Sequence, residues 1–229
     1  FTIFGADFAF GTMHIDYLLL PLAIAGIFVA SAVAIYQSNL KKLLAYSSVA
    51  QIGYIMLGIS FGSITGLTAG IVHLFNHALM KGALFLAVGS IFLRVNSVQL
   101  DDLSGLGKRM PVTSFALVLG GLGLIGVPLT VGFISKWYLL LAAIEAGWWP
   151  VAVLVLISSL LALVYIWRFV ETAYFRPVPD DAPPVSEAPL LMQIPMWLLI
   201  ALAIGLGVQT SSTVGTAQRA ALWLLSGAP

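Results

Sequence analysis

Residues 70–92 read GIVHLFNHALMKGALFLAVGSIF. The stretch is apolar enough to cross a membrane, yet His73, His77 and Lys81 stand near its middle. In an α-helix the spacing i, i+4, i+8 places all three within a sector of roughly 80°, and they climb roughly 12 Å along the axis. A charged side chain at mid-membrane costs about 2.5–3.5 kcal/mol even on the mildest scale. A helix that carries a lysine at that depth, with two imidazoles on the same face, is expected to turn that face toward protein and water. The pattern predicts a proton path.

Composition sets the class. The chain has 229 residues, of which 60% are hydrophobic and only 8% charged. Its mean hydropathy is +1.05. A soluble domain carries about 25% charged residues. The expected fold is therefore an all-α, polytopic transmembrane helix bundle, with room for about six spans of roughly 20 residues. A net charge of +1 leaves no electrostatic footprint for nucleic acid. The absence of cysteine excludes disulfides, thiolate metal sites, iron–sulfur clusters and cysteine nucleophiles. The chain opens Phe1-Thr2-Ile3-Phe4, with no methionine and no signal-peptide pattern. We expect it to start just after an upstream helix.

Working outward, residues 1–16 carry Asp7, His14 and Asp16 and read as a helix tail and an external loop. A channel domain is expected over 17–210 and a tail over 211–229, with a short amphipathic piece around Arg219 and Trp223. The spans are expected at 17–36, 43–59, 64–94, 111–144, 149–174 and 190–208. Pro21 is expected in the first turn of its helix, where a missing N–H is harmless. The second span offers Tyr46, Ser47, Ser48 and Gln51 as supporting polar groups. Gly62, Gly66 and Gly70 follow in a spacing that suits close helix packing around a turn.

The fourth segment would be about 50 Å long as one straight helix, well beyond a hydrocarbon core of about 30 Å. Its middle reads GGLGLIGVPLTVGF. Pro128 removes a backbone hydrogen bond and clashes with the preceding turn. A discontinuous helix is therefore expected, broken over 126–130 around Gly126 and Pro128. Irregular backbone at membrane depth is tolerated only beside protein or water. Lys136 follows the break, which is a transporter-like arrangement.

Basic residues alternate between loops. Lys41 and Lys42 follow the first span, Arg94, Lys108 and Arg109 the third, and Arg176 the fifth; the loops after the second and fourth have none. The positive-inside rule puts the loops after spans one, three and five in the cytoplasm of a multi-pass protein of the plasma (inner) membrane. Arg168 and Glu171 are spaced i, i+3 and read either as a local helix pair or as a point of proton uptake.

Plainer readings compete. Lys81 could be salt-bridged for packing, Lys136 could snorkel to the interface, and the histidines could make structural hydrogen bonds. Coupling favours transport. Two ammonium charges about 8 Å apart at an effective dielectric of about 20 repel by about 2 kcal/mol. Protonating one then pushes a proton off the next, with imidazoles as relays. No metal is expected, because no glutamate or cysteine lies near the histidine pair to complete a zinc shell. The string Gly121-x-Gly123-x-x-Gly126 lies inside a span, without the strand–turn–helix context of a dinucleotide site. No cofactor and no redox or hydrolytic site is expected in this chain.

Three motifs then fall into order: LKKLLAYSSVAQIGY from residue 40, VHLFNHALMKGALFL from 72 and GVPLTVGFISKWYLL from 126. Together they resemble the antiporter-like proton-channel family, which comprises subunits of respiratory complex I, Mrp-type cation/proton antiporters and membrane-bound hydrogenases. The resemblance covers about 17–175. It implies that His73, His77 and Lys81 belong to a central proton-relay axis and Lys136 to an outward half-channel, with Tyr46–Gln51 beside the axis. It implies partner membrane subunits in a hetero-oligomeric complex, and protons as cargo; whether Na⁺ or K⁺ is exchanged stays open. The family's first repeat, with its glutamate–lysine pair, is not in this sequence, so the chain resembles a C-terminal half. VAQIGY, GLGKRMP and WRFVETAYF are more similar to the D-type subunit of Mrp antiporters than to complex I subunits. The alternatives are a proton-pumping subunit of an NADH-quinone oxidoreductase or hydrogenase, and a structural scaffold.

Overall fold

The structure is a computed structural model and describes residues 5–180 and 182–226. Among these the regular structure is helical: α1 (Asp16–Ile35), α2 (Leu40–Ser60), α3 (Ile64–Val95), the single turn α4 (Leu106–Arg109), α5 (Pro111–Ile125), α6 (Val131–Glu145), α7 (Trp149–Val170), α8 (Leu190–Val208) and α9 (Ser211–Ser226). Of the 1–16 segment, residues 1–4 lie outside the described residues; a π-helical turn covers Asp7–Thr12.

Local chemistry sets the boundaries. Asn39 caps α2 by accepting from the Lys42 amide at 3.0 Å, and Ser63 caps α3 by accepting from the Gly66 amide at 3.1 Å. Asn96, at φ 55°, closes α3 in the left-handed region that asparagine tolerates. One boundary corrects an expectation. Because α1 begins at Asp16, Pro21 falls in the second turn and costs the helix a hydrogen bond.

The long apolar segment breaks where proline and glycine predict. Gly126 ends α5 at φ 88°, Leu129 adopts φ 74°, and Thr130 in extended conformation starts α6. Each half is 15 residues, or about 22 Å, too short to cross alone. Five other helices are long and apolar enough to span a membrane; among them α7 continues through a π-helical turn to Phe175.

The 32-residue α3 is the hub, packing on α2, α5, α6, α8 and α9. Its entry against α2 depends on glycine. A Cβ on Gly58 would sit 2.7 Å from the Gly66 carbonyl and 2.8 Å from the Gly70 amide. Gly66 and Gly70 thus form one side of the crossing, as their spacing suggests. Their partner Gly58 is the addition, while Gly62 makes the turn at φ 58°.

The apolar core divides in two. One cluster gathers Leu43, Leu44, Met80, Leu84, Leu124, Val131 and Tyr165; the other gathers Ile27, Tyr54, Leu57, Ala69, Leu139 and Val155. Along their helices Ser47 and Gln51 on α2, His73 and Asn76 on α3, and Ser135 and Lys136 on α6 fall between residues of the two clusters. The basic loops meet at one end. Leu40 and Leu100 donate to Val98 and Ser38 at 2.8 Å, Arg176 pairs with Asp101 at 3.0 Å, and Arg109 and Arg94 donate to the carbonyls of Pro183 and Glu187. At the opposite end Phe61 packs on Trp148.

Candidate functional site: a buried polar string between two lysines

The string starts on α3. Lys81 is buried, and its ammonium donates to the Leu44 carbonyl at 2.7 Å and to the Ser47 hydroxyl. One turn further along α2, the Gln51 side-chain oxygen accepts from His73 Nε2 at 3.1 Å. On the other side of the ring, His73 Nδ1 meets the Ser135 hydroxyl of α6 at 2.7 Å. With the Gln51 amide in this orientation the ring carries a proton on Nε2, and the Ser135 hydroxyl, which has one proton to give, lies between Nδ1 and the Gly132 carbonyl at 3.3 Å. His73 is fully buried. It thus links α2, α3 and α6 through both nitrogens.

Lys136 follows Ser135 and is buried too, so it does not snorkel. Its ammonium donates to the carbonyls of Leu124 and Ile125 at 3.0 and 2.9 Å and to the Ser159 hydroxyl at 3.0 Å. Those carbonyls are at the end of α5, where the helix leaves its last acceptors unpaired and its dipole is negative. The break therefore makes the lysine's seat. Tyr54 closes the gap between the two ends: its ring lies 4.8 Å from the Lys136 ammonium and 5.3 Å from the His73 ring, and its hydroxyl is 2.6 Å from Ser158. A cavity of about 270 Å³ opens beside the break, with Pro128, Lys136 and Ser159 in its wall. It has space for several waters.

The structure brings together four of the expected groups, Lys81, Ser47, Gln51 and His73, and carries the line to Lys136. It sets others aside. His77 lies off the string, partly exposed, and its Nε2 has no partner among the described residues. Tyr46 is 39% exposed on the outer side of α2, and Ser48 bonds its own helix at the Leu44 carbonyl; neither joins the site. The Arg168–Glu171 pair does not form. Arg168 donates instead to the carbonyls of Ile35 and Gln37 at the end of α1, and Glu171 approaches Arg176 at 3.9 Å. Unmet helix-end carbonyls outcompete an exposed carboxylate. Sequence reasoning missed Tyr54, Ser135, Ser158 and Ser159. Tyr54 had a signal, since Ser47, Gln51 and Tyr54 are spaced i, i+4, i+7 on one face. The serines had none.

Residues 2–162 match the family described as NADH:quinone oxidoreductase/Mrp antiporter, TM. The chain belongs to this family. Among curated members, it is 39% identical over 194 residues to the NADH-quinone oxidoreductase subunit N of Desulforudis audaxviator, covering 82% of this chain and 39% of that protein. It is 31% identical over 219 residues to the F(420)H(2) dehydrogenase subunit N of Methanosarcina mazei, covering 92% of this chain and 44% of that protein. Among solved structures, the Mrp complex from Dietzia sp. superposes with TM-score 0.87 at 26% identity, over 92% of this chain and 47% of the other. An archaeal membrane-bound sulfane sulfur reductase superposes with TM-score 0.79 at 35% identity, over 84% and 32%. This family member thus spans about two-fifths of the length of the curated relatives it matches.

Proposed function

We propose that the chain is the C-terminal part of an antiporter-like subunit that moves protons across the plasma membrane. The observation that carries this reading is a line of buried polar groups made of two hydrogen-bonded segments, Lys81–Ser47 and Gln51–His73–Ser135, with Lys136 next to Ser135 in α6 and bonded to Ser159. Each member is buried, Lys81 beside the first apolar cluster and the others between the two. Two lysines and an imidazole at such depth stabilise nothing that packed hydrocarbon would not stabilise better. Proton exchange gives them a reason to be there. Lys81 is the central site, His73 and, off the string, His77 the relays, and Lys136 the outward site. The channel domain is 17–210, flanked by an external segment 1–16 and a tail 211–229. The basic loops face the cytoplasm. The subunit works among other membrane subunits, and the remainder of the protein supplies the inward half-channel.

The test is proton flux in vesicles holding the full-length protein in its complex. Lys81→Ala should abolish flux; unchanged flux would reduce the chain to a scaffold.

Two kinds of complex fit. The motifs VAQIGY, GLGKRMP and WRFVETAYF and the TM-score of 0.87 to the Dietzia complex support an Mrp-type antiporter subunit of the D type, exchanging protons for Na⁺ or K⁺. The 39% identity to an NADH-quinone oxidoreductase subunit favours a second reading, a subunit of a redox-driven pump. Flux driven by a Na⁺ or K⁺ gradient without electron donor selects the first. Flux that appears only while a donor is oxidised selects the second.

A further inference from the structure

Three oxygens hold the Lys136 ammonium, and the sequence itself frees two of them. In an unbroken helix the amide of residue 128 would bond the Leu124 carbonyl, but Pro128 has no N–H. Residue 129 would serve Ile125 in the same way. Leu129 instead sits at φ 74° and donates no backbone hydrogen bond among the described residues. The third oxygen is the Ser159 hydroxyl on α7, which gives its own proton to the Val155 carbonyl at 3.3 Å and so offers the ammonium a lone pair. All three oxygens lie 2.9–3.0 Å from the nitrogen. The Tyr54 ring, 4.8 Å away, adds its negative face.

Such a seat is not specific to lysine. Helix-end carbonyls, a hydroxyl and an aromatic face suit any single positive charge, and carbonyl oxygens can replace the hydration shell of an alkali cation. The seat brings no charge of its own. No carboxylate pairs with Lys136 among the described residues, and α5 and α8 have no titratable side chain. The titratable groups that face the ammonium are Tyr54 on α2 and, behind it, His73 on α3. His77 and Lys81 stand one and two turns beyond His73, Tyr165 and Arg168 about two turns or more beyond Ser159, and Tyr138 is on the opposite face of α6. Lys136 and Ser159 also form part of the wall of the cavity of about 270 Å³ beside the break. That space lets the amine swing and lets waters complete a coordination shell.

We propose that this seat binds K⁺, which alternates there with the Lys136 ammonium. This rests on the antiporter reading above and names its cargo. One positive charge occupies the seat in either state, so the exchange buries no additional charge. As the cation enters, one N–H bond of the ammonium breaks and one O–H bond forms on a cavity water, which leaves as hydronium. The neutral amine moves aside on its flexible four-carbon stem. Return of a proton reverses the step and expels the cation, and no electrons move. Size sets the preference. An ammonium group is close to K⁺ in size, and Na⁺ is smaller. The Leu124 and Ile125 carbonyls are fixed by the end of α5, so they fit the larger ion and cannot close on the smaller one.

The test is thermal melting of the purified full-length complex in KCl, NaCl or N-methylglucamine chloride at one ionic strength. Lys136→Ala vacates the seat, and K⁺ should raise its melting temperature with a half-saturating concentration that does not depend on pH. In the unaltered complex K⁺ competes with a proton, so that concentration should rise by up to about tenfold for each pH unit of acidification. Na⁺ should need a several-fold higher concentration. The proposal is overturned if K⁺ acts no better than N-methylglucamine on Lys136→Ala, if the K⁺ dependence of the unaltered complex ignores pH, or if Na⁺ acts ahead of K⁺. Proton flux in vesicles separates the seat from the wider reading. Ser159→Ala keeps the lysine and removes one oxygen, and it should raise the K⁺ concentration that half-saturates flux about tenfold. An unchanged K⁺ dependence in Ser159→Ala, while a cation gradient still drives protons through the unaltered complex, overturns the seat and leaves the antiporter reading standing. If neither a K⁺ nor a Na⁺ gradient moves protons, the antiporter reading fails and takes the exchange with it. Should Lys136→Ala not assemble, Ser159→Ala decides.

Discussion

Lys81 and Lys136 are both buried ammoniums that bond one serine and main-chain oxygen, but the oxygens differ in kind. Lys136 takes the carbonyls of Leu124 and Ile125, which the end of α5 leaves without helical partners. Lys81 takes the Leu44 carbonyl inside the unbroken α2, and the hydroxyls of Ser47 and Ser48 already donate to that oxygen. The first cation completes a helix end. The second is a surplus donor at a crowded acceptor. On the transport reading both lysines exchange protons, but the seat at the end of α5 also holds part of the fold together, and the seat on α2 does not.

The largest effects should separate these two roles. Lys81→Ala and Lys136→Ala in the full-length protein should each lower proton flux by about a hundredfold or more. Stability should split them. Lys136→Ala strands two carbonyls, a loss of about 1–3 kcal/mol in unfolding free energy. Lys81→Ala leaves Leu44 with its helical partner and should cost less, since the ammonium's own burial is relieved. Melting of the purified variants in detergent checks this. Equal losses would mean that the two seats are energetically alike.

His73 and His77 extend the comparison at smaller scale. His73→Leu removes the link among α2, α3 and α6 and leaves Gln51 without its partner. Flux should fall about tenfold to a hundredfold. His77→Leu breaks no hydrogen bond given to its Nε2 by the described residues, so its flux should fall several-fold less, measured in the same vesicles. A larger loss at His77 would move the relay to the partly exposed edge of α3.

What the sequence made legible follows from the kind of signal each feature leaves. Helix number, the break at Gly126 and Pro128, and the burial of Lys81 and Lys136 come from composition and from residues with fixed backbone consequences. Those are local properties. The string itself required knowing which faces of α2 and α6 turn toward α3. Ser135 and Ser159 are ordinary small polar residues until a fold sets them beside His73 and Lys136. Sequence alone does not tell Tyr46 from Ser47 for the same reason: Ser47 sits about 100° away around α2 and faces in, while Tyr46 is exposed. The Arg168–Glu171 expectation considers only one helix, whereas the competing carbonyls belong to the end of α1.

Next in size is the crossing of α2 and α3, which sets the register between Ser47 and Lys81. Gly58→Ala places a methyl 2.7 Å from the Gly66 carbonyl and 2.8 Å from the Gly70 amide, both backbone atoms that cannot swing aside. The helices must separate, at about 1–3 kcal/mol. Melting should register the loss, whereas the pH profile of the residual flux should keep its shape, because no member of the string is removed.

The smallest expected effect concerns the pair that does not form. A double-mutant cycle of Arg168→Leu and Glu171→Gln, read by melting, should give a coupling energy below the roughly 0.2–1 kcal/mol of exposed ion pairs. The single change at Arg168 should still destabilise by about 1–3 kcal/mol, because the carbonyls of Ile35 and Gln37 lose a charged donor at the end of α1. Glu171→Gln should be nearly silent, since its nearest cation, Arg176, is 3.9 Å away and already bonds Asp101 at 3.0 Å. A coupling above that range would restore the local pair and free the end of α1 from Arg168. The basic end of the bundle would then be held by its loops alone, and the Arg168–Glu171 pair would again stand as a point of proton uptake, with Glu171 the group that titrates.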